Sequence, residues 1–174
     1  AAQLTNDPAG ICCVMQCGPP PPWEISAAGT LAGAASTQGP FTAGFAHTRL
    51  AIIDLSHASD QPMLAPDGRC ALAYNGEIYN YLELKHALIE LGHEFRTTGD
   101  TEVVLHSYMQ WGERCVERFV GMWAFAILDV SRTAILLSRD RFGIKPLYYC
   151  VAGKTFSFAS EIKALRAVPG GVEP

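Results

Sequence analysis

Hydrophobic and polar positions fall into a regular pattern only from about residue 43 onward. Leu50-Ala51-Ile52-Ile53 reads as a short buried strand, ended by Asp54 and the polar stretch 56–60. Pro66-Asp67-Gly68 is a turn that leads into a second strand over residues 70–74. Asn80 followed by Glu83 has the form of a capping box, and Leu84, Leu88 and Leu91 then make one apolar helical face that Gly92 stops. A second helix is predicted over residues 101–111, capped by Asp100, with Glu102 in its first turn and Gly112 at its end. After a short helical piece around Val116, strands are predicted over 122–129, 134–139, 147–151 and 155–159, the last two joined by an Ala152-Gly153-Lys154 hairpin loop. Two central helices flanked by consecutive strands predict an α+β chain, with antiparallel sheets covered by helices.

The first forty residues do not share this regularity. Pro19 to Pro22 form an extended polyproline run, and residues 26–39 are rich in Gly, Ala and Ser. The chain is therefore divided into a divergent segment 1–40, a patterned domain 41–166 and a tail 167–174.

Composition narrows the class. At 174 residues, 49% hydrophobic and 17% charged, the chain suits one globular domain with a substantial core. A net charge of -4 without a Lys/Arg block speaks against nucleic acid as a partner. The longest apolar run, residues 119–128, is too short to span a bilayer and fits a buried strand. Residues 1–10 have neither a basic start nor an apolar segment, so no secretory signal is expected, and no membrane partner. The six cysteines are placed unevenly and are read as mostly reduced, which points to a cytoplasmic location. Cys12-Cys13 and Cys17, even with His47 or His57, match no common paired ligand spacing, so no metal site is assigned. His86, His93 and His106 are placed on helix or loop surfaces and given no catalytic role.

The most informative segment is Tyr74-Asn75-Gly76-Glu77-Ile78-Tyr79-Asn80. An Asn-Gly pair is ordinarily a turn. Here it follows a strand and precedes a helix, so it can also aim an amide side chain and a bare backbone N–H at one point, as an oxyanion hole requires. The local sequence leaves both readings open.

Four motifs taken together carry a family resemblance: His47-Thr48-Arg49-Leu50-Ala51-Ile52-Ile53-Asp54, the Asn75 to Asn80 segment, Gly99-Asp100-Thr101-Glu102, and Arg141-Phe142-Gly143-Ile144-Lys145-Pro146-Leu147-Tyr148-Tyr149. With Phe158-Ala159-Ser160-Glu161-Ile162-Lys163 they resemble, in order and spacing, the glutaminase domain of glutamine-hydrolysing asparagine synthetases, the class II glutamine amidotransferases. The resemblance runs over residues 44–165. It implies a four-layer αββα sandwich of the N-terminal-nucleophile hydrolase type. It also implies release of ammonia from glutamine, passed to an ATP-using synthetase domain or subunit, most naturally for making asparagine from aspartate. No cofactor is implied in this domain; ATP and Mg belong to the synthetase part, for which nothing after Leu165 is suited. A homodimer is an open arrangement.

By the same resemblance, Arg49 holds the glutamine α-carboxylate and Asp100 the α-ammonium, with Glu77 as a further contact to the amine and backbone around Ile52 completing the pocket. Asn75 and Gly76 supply the side-chain and backbone N–H groups of the oxyanion hole. The Arg139-Asp140-Arg141 cluster is read as a strand-end turn with a structural ion pair. Lys145 is set facing a partner domain.

Family members start Cys-Gly-Ile or similar, the cysteine attacking the amide while its own α-amine moves the proton. This chain begins Ala1-Ala2-Gln3, and the segment Gln38-Gly39-Pro40-Phe41 leaves too few residues before His47 for the usual strand. Removal of residues 1–11 would expose Cys12, which is therefore the nucleophile candidate; the alternative is a glutamine-binding module, or a truncated family member, without catalysis.

Overall fold

The computed structural model describes residues 10–16 (backbone path only), 43–48, 57–132, 134–153 and 155–167. Among these are eight strands and three α-helices: β1 Gly10–Gln16, β2 Ala43–Thr48, β3 Met63–Leu64, β4 Cys70–Ile78, α1 Tyr81–Glu90, α2 Asp100–Trp111, β5 Gly121–Asp129, β6 Ala134–Arg139, β7 Tyr148–Ala152, β8 Thr155–Ala159 and α3 Ile162–Ala167. Short 3-10 turns occupy His57–Ser59 and Gly112–Arg118.

Two antiparallel four-stranded sheets result, ordered β2-β1-β8-β7 and β3-β4-β5-β6. The period-2 alternation of β4 and β5 sends their side chains to two different cores. Leu72, Tyr74, Ile78, Phe125 and Ile127 turn outward to Leu84 and Leu88 of α1 and to Val103, Val104 and Leu105 of α2. Ala73 and Ala126 turn inward, where they meet Phe158 of β8 with Phe45, Ile135 and Leu137 around them. On the far side, Ala164 and Leu165 of α3 lie on Ala159 and Cys150. The layers are thus helix, sheet, sheet, helix: the expected αββα sandwich. Small alanines between the sheets let a large ring such as Phe158, fully buried, fill the gap; each such side chain contributes ~1.5–3 kcal/mol.

Several elements depart from expectation. β1 lies inside the segment 1–40 that was set apart as divergent, and it is an inner strand, paired with β2 on one side and β8 on the other. The segment following Gln38-Gly39-Pro40-Phe41, judged too short for a strand, holds β2. β4 does not stop at Tyr74 but runs to Ile78, so Asn75-Gly76 is neither a turn nor a strand end. Asn80 makes no capping bond to α1. Its amide instead holds the chain just before β5, donating to the Arg118 carbonyl and accepting from Val120 N–H, both at 3.0 Å. α3 was not foreseen. The predicted strand at Leu50 to Ile53 lies outside the described residues.

Candidate active site

The site is built on one edge of β4. Trp123 of β5 receives Asp140 N–H on its carbonyl at 2.8 Å and gives its own N–H to Asp140 Oδ2 at 3.3 Å, so both its backbone groups face the β6 side. Its register partner Gly76 is therefore a non-hydrogen-bonded pair in the ladder, with N–H and C=O aimed away from β5. Residues two apart share this direction. Tyr74 N–H donates to Gln61 Oε1 at 2.6 Å, Tyr74 C=O accepts from His47 Nε2 at 3.0 Å, and Ile78 N–H donates to Asp100 Oδ2 at 2.9 Å. The neighbouring strand β3 pairs only as far as Leu72. Three successive outward amides thus line an edge that β3 leaves unpaired. The first is bound to Gln61 and the third to Asp100, while that of Gly76 takes no protein partner among the described residues.

Gly76 is glycine for a steric reason. A Cβ there would stand 2.5 Å from Met122 O, 2.6 Å from Tyr74 Cε2 and 2.8 Å from Trp123 Cα. The Tyr74 ring lies across the bare Gly76 backbone, and its hydroxyl donates to Asp100 Oδ2 at 2.6 Å. Burial, then the adjacent Asp100 carboxylate, push the Tyr74 phenol well above its ordinary range. Asn75 projects to the opposite face of β4, toward the other sheet, and is buried. Glu77 shares that face and is exposed.

Asp100 is the first residue of α2; Gly99 is the N-cap, so the aspartate does not cap its own helix as the sequence implied. It is buried and spends Oδ2 on β4 instead. The loop that delivers it is latched by Glu102, also buried, which accepts from Arg96 N–H at 3.0 Å and from Thr97 N–H and Thr97 Oγ1–H, each at 2.7 Å. Behind this latch His106, placed on a surface from sequence, is buried. Its Nδ1 meets His93 Nδ1 at 3.0 Å, and its ring packs on Phe95 at 4.6 Å between centroids. Burial lowers its pKa, only partly offset by Glu102.

Of the residues singled out from sequence, the structure brings Asn75, Gly76 and Asp100 to one end of β4, with Glu77 beside them on an exposed face. Arg49 and Ile52 lie outside the described residues; β2 ends at Thr48, immediately before Arg49. Cys12 is the third residue of β1, paired with Ala46 and Ala159, and β1 packs across the sandwich against β4. A chain starting at Cys12 would lose Gly10 and Ile11, and with them the pairings to Thr48 and His47. The strand opens on Gly10-Ile11, and in the sequence Ala9 precedes them. Gly10-Ile11 repeats the last two residues of the Cys-Gly-Ile start to which the sequence is likened, with Ala9 before them. His47, considered as a metal ligand, holds the Tyr74 carbonyl.

The Arg139-Asp140-Arg141 cluster is structural, though not through an ion pair. Asp140, buried, accepts from the N–H groups of Phe142, Ile144 and Lys145, each at 3.0 Å, as well as from Trp123. Burial works against its charge, but these backbone donors outweigh it and hold the carboxyl below its usual value. Arg139 Nε donates to Lys145 O at 2.8 Å and Nη2 to Gly143 O at 2.5 Å. This fixes the bend that leaves Phe142 84% exposed. Asp140 also sets the Trp123 backbone direction, and so indirectly the outward aim of Gly76 N–H. No helix among the described residues is long and apolar enough to cross a membrane.

Comparison with known proteins agrees with this geometry. A family model described as "Glutamine amidotransferase domain" matches residues 32–173. The chain is 44% identical over 127 residues to asparagine synthetase [glutamine-hydrolyzing] 3 of Bacillus subtilis, covering 72% of this chain and 20% of that protein. It is likewise 44% identical over 142 residues to a putative asparagine synthetase [glutamine-hydrolyzing] 2 of Methanocaldococcus jannaschii, covering 74% and 27%. The chain therefore spans about a fifth to a quarter of these relatives' lengths. The solved glutamine phosphoribosylpyrophosphate amidotransferase of Bacillus subtilis, in complex with ADP and GMP, shares the fold with a TM-score of 0.68 at 24% identity, over 91% of this chain and 37% of that one. An amide unclaimed by the described residues beside a buried asparagine, a carboxylate at the same strand end, an αββα sandwich and a family match over most of the sequence lead to one assignment: this chain belongs to the glutamine amidotransferases.

Proposed function

We propose that this domain binds glutamine along the edge of β4 beyond β3 and serves amide synthesis, with asparagine from aspartate as the product its relatives suggest. The observation that carries this reading is the Gly76 N–H, which no described residue claims, between two N–H groups that are claimed. Successive outward amides of a strand are about 7 Å apart. Glutamine's α-nitrogen and side-chain amide oxygen are separated by five covalent bonds, about 6 Å when extended. An ammonium held at Asp100, beyond Ile78, leaves the amide oxygen at Gly76 N–H, where the Asn75 side chain can join as second donor. Arg49 takes the α-carboxylate on this reading, as a planar guanidinium with paired donors does well. Backbone near Ile52 closes the pocket and Glu77 borders the amine.

Hydrolysis adds water to the side-chain amide and yields glutamate and ammonia. A thiolate would attack the amide carbon, the oxyanion would fall to Asn75 and Gly76, ammonia would leave with the proton carried by a terminal amine, and water would then hydrolyse the thioester to glutamate and free thiol. Loss of either oxyanion donor would then cost about 100- to 1000-fold in turnover. Cys12 supplies that thiol only after cleavage behind Ile11. ATP and Mg2+ act, on this proposal, in a synthetase domain that receives the ammonia; among the described residues no group of three or more His, Cys, Asp or Glu side chains is placed to hold a metal ion.

A second reading is favoured by Ala9 standing before Gly10-Ile11 and by the inner-strand pairing of Cys12: a pocket that binds glutamine without hydrolysing it. One experiment separates the two. Intact-mass measurement fixes the mature N-terminus while a coupled assay follows ammonia from glutamine. A chain starting at Cys12 with turnover abolished by Cys12→Ala supports hydrolysis. An uncleaved chain that binds glutamine and releases no ammonia supports the silent pocket.

A further inference from the structure

We propose that Tyr74 is a positioning residue that ties the amine-binding carboxylate to the oxyanion-hole strand, so that the two ends of glutamine are held in one register. The inference rests on the reading of the site as a glutamine pocket. Tyr74 is fixed at three points, each from a different element. Its N–H is held by Gln61 at 2.6 Å, its carbonyl by His47 of β2 at 3.0 Å, and its hydroxyl donates to Asp100 at the start of α2 at 2.6 Å. One residue therefore joins both sheets and the helix layer at the position next to Asn75.

The connection depends on Gly76. Any side chain there would occupy the space the Tyr74 ring crosses, since a Cβ would come within 2.6 Å of Cε2. Tyr74 as a whole is 3% exposed, so its hydroxyl has no water to fall back on and the bond to Asp100 is retained as a short, charge-assisted one. With Ile78 N–H on the same oxygen at 2.9 Å, the carboxylate is clamped in orientation. The phenol touches neither the reacting amide nor the oxyanion; its role is to aim Asp100.

The test uses the full chain and two ligands: L-glutamine, and 4-carbamoylbutanoate, which is glutamine without its α-amine. Calorimetry should show Tyr74→Phe weakening glutamine by about tenfold while the deaminated analogue binds as it does to wild type. Asp100→Asn should weaken glutamine at least as much, and the double variant should be no weaker than Asp100→Asn alone, because both changes break one link. Equal weakening of both ligands by Tyr74→Phe, or no weakening of either, overturns the proposal. A second readout needs no ligand. The protected Tyr74 hydroxyl proton should give a downfield NMR resonance that vanishes in Tyr74→Phe and moves in Asp100→Asn; a wild-type spectrum without it refutes the clamp itself. If wild type binds no glutamine, the glutamine reading fails and the positioning role with it, whereas the phenol–carboxylate bond is still judged by the resonance.

Discussion

Adding one methyl group at Gly76 should damage this domain more than most core substitutions. In Gly76→Ala the new Cβ would lie 2.5 Å from Met122 O, about 0.9 Å short of the 3.4 Å at which ordinary contact begins, and 2.8 Å from Trp123 Cα. Both obstacles are backbone of β5, the inner strand between β4 and β6, so neither can rotate away. The third, Tyr74 Cε2 at 2.6 Å, belongs to a ring pinned by its hydroxyl. Relief therefore needs β4 and β5 to separate locally. Overpacking costs typically ~1–3 kcal/mol, and the immobile neighbours put this case at the upper end, ~2–3 kcal/mol. For a chain of this size that corresponds to a Tm lower by roughly 4–12 °C. Thermal unfolding followed by circular dichroism and calorimetry checks it. A Gly76→Ala protein melting within about 1 °C of wild type would show that β4 and β5 are not packed as described, and the steric reason given for glycine would fall.

Further outcomes follow from the buried carboxylates and the histidine pair. Asp140→Ala should cost ~3 kcal/mol, because four backbone donors lose their acceptor, and hydrogen exchange should rise at Phe142, Ile144 and Lys145 while α1 is unchanged. Asp140 and Asp129 both have depressed folded-state values, despite burial, through their hydrogen bonds. Their contribution is complete above the ordinary carboxylate value of about 3.9 and is lost as pH falls through the folded value, so acid unfolding should set in below about pH 4, with a shallower acid limb in Asp140→Asn. Burial holds the folded-state value of His106 below the ordinary histidine value of about 6.5. The native state binds fewer protons there, so stability should decline as pH drops from about 6.5, and His106→Phe should flatten that decline in urea titrations run from pH 5 to 7. Glu102→Ala should cost ~2–4 kcal/mol and free the loop at Arg96 and Thr97 to proteolysis, since three donors at 2.7–3.0 Å end on that carboxylate.

The antiparallel half of the fold was legible because local signals and tertiary context agreed. β5 and β6 begin and end within a residue of their predicted limits, and Gly153 supplies the positive φ the hairpin loop needs. The layer arrangement followed from the same pattern. Where the sequence misled, a polar residue had a distant partner that no local rule shows. Asn80 has the form of a helix cap but bridges Arg118 and Val120; Asp100 has the form of a cap but serves Tyr74 and Ile78. Asn75-Gly76 imitates a turn because glycine in a strand is uncommon. Only the close approach of β5 explains it, and that approach is set by residues nearly fifty positions later. His106 reads as a surface residue because one histidine on a helix carries no sign of what packs against it. Asn75 and Gly76 stand out in the local sequence and Asp100 in the motif resemblance, whereas nothing in the sequence shows that Tyr74, Gln61 and His47 bond to one another. Their importance comes from filling the edge of β4 beyond the end of β3, a feature of strand lengths and not of residue types.

A crystal of this chain grown or soaked with L-glutamine tests the central claim most directly. The ligand should lie along the β4 edge, its ammonium on the Asp100 carboxylate and its side-chain oxygen within hydrogen-bond distance of Gly76 N–H and the Asn75 amide. Glutamine bound elsewhere, or bound with a water still on Gly76 N–H and its amide turned away, would contradict it.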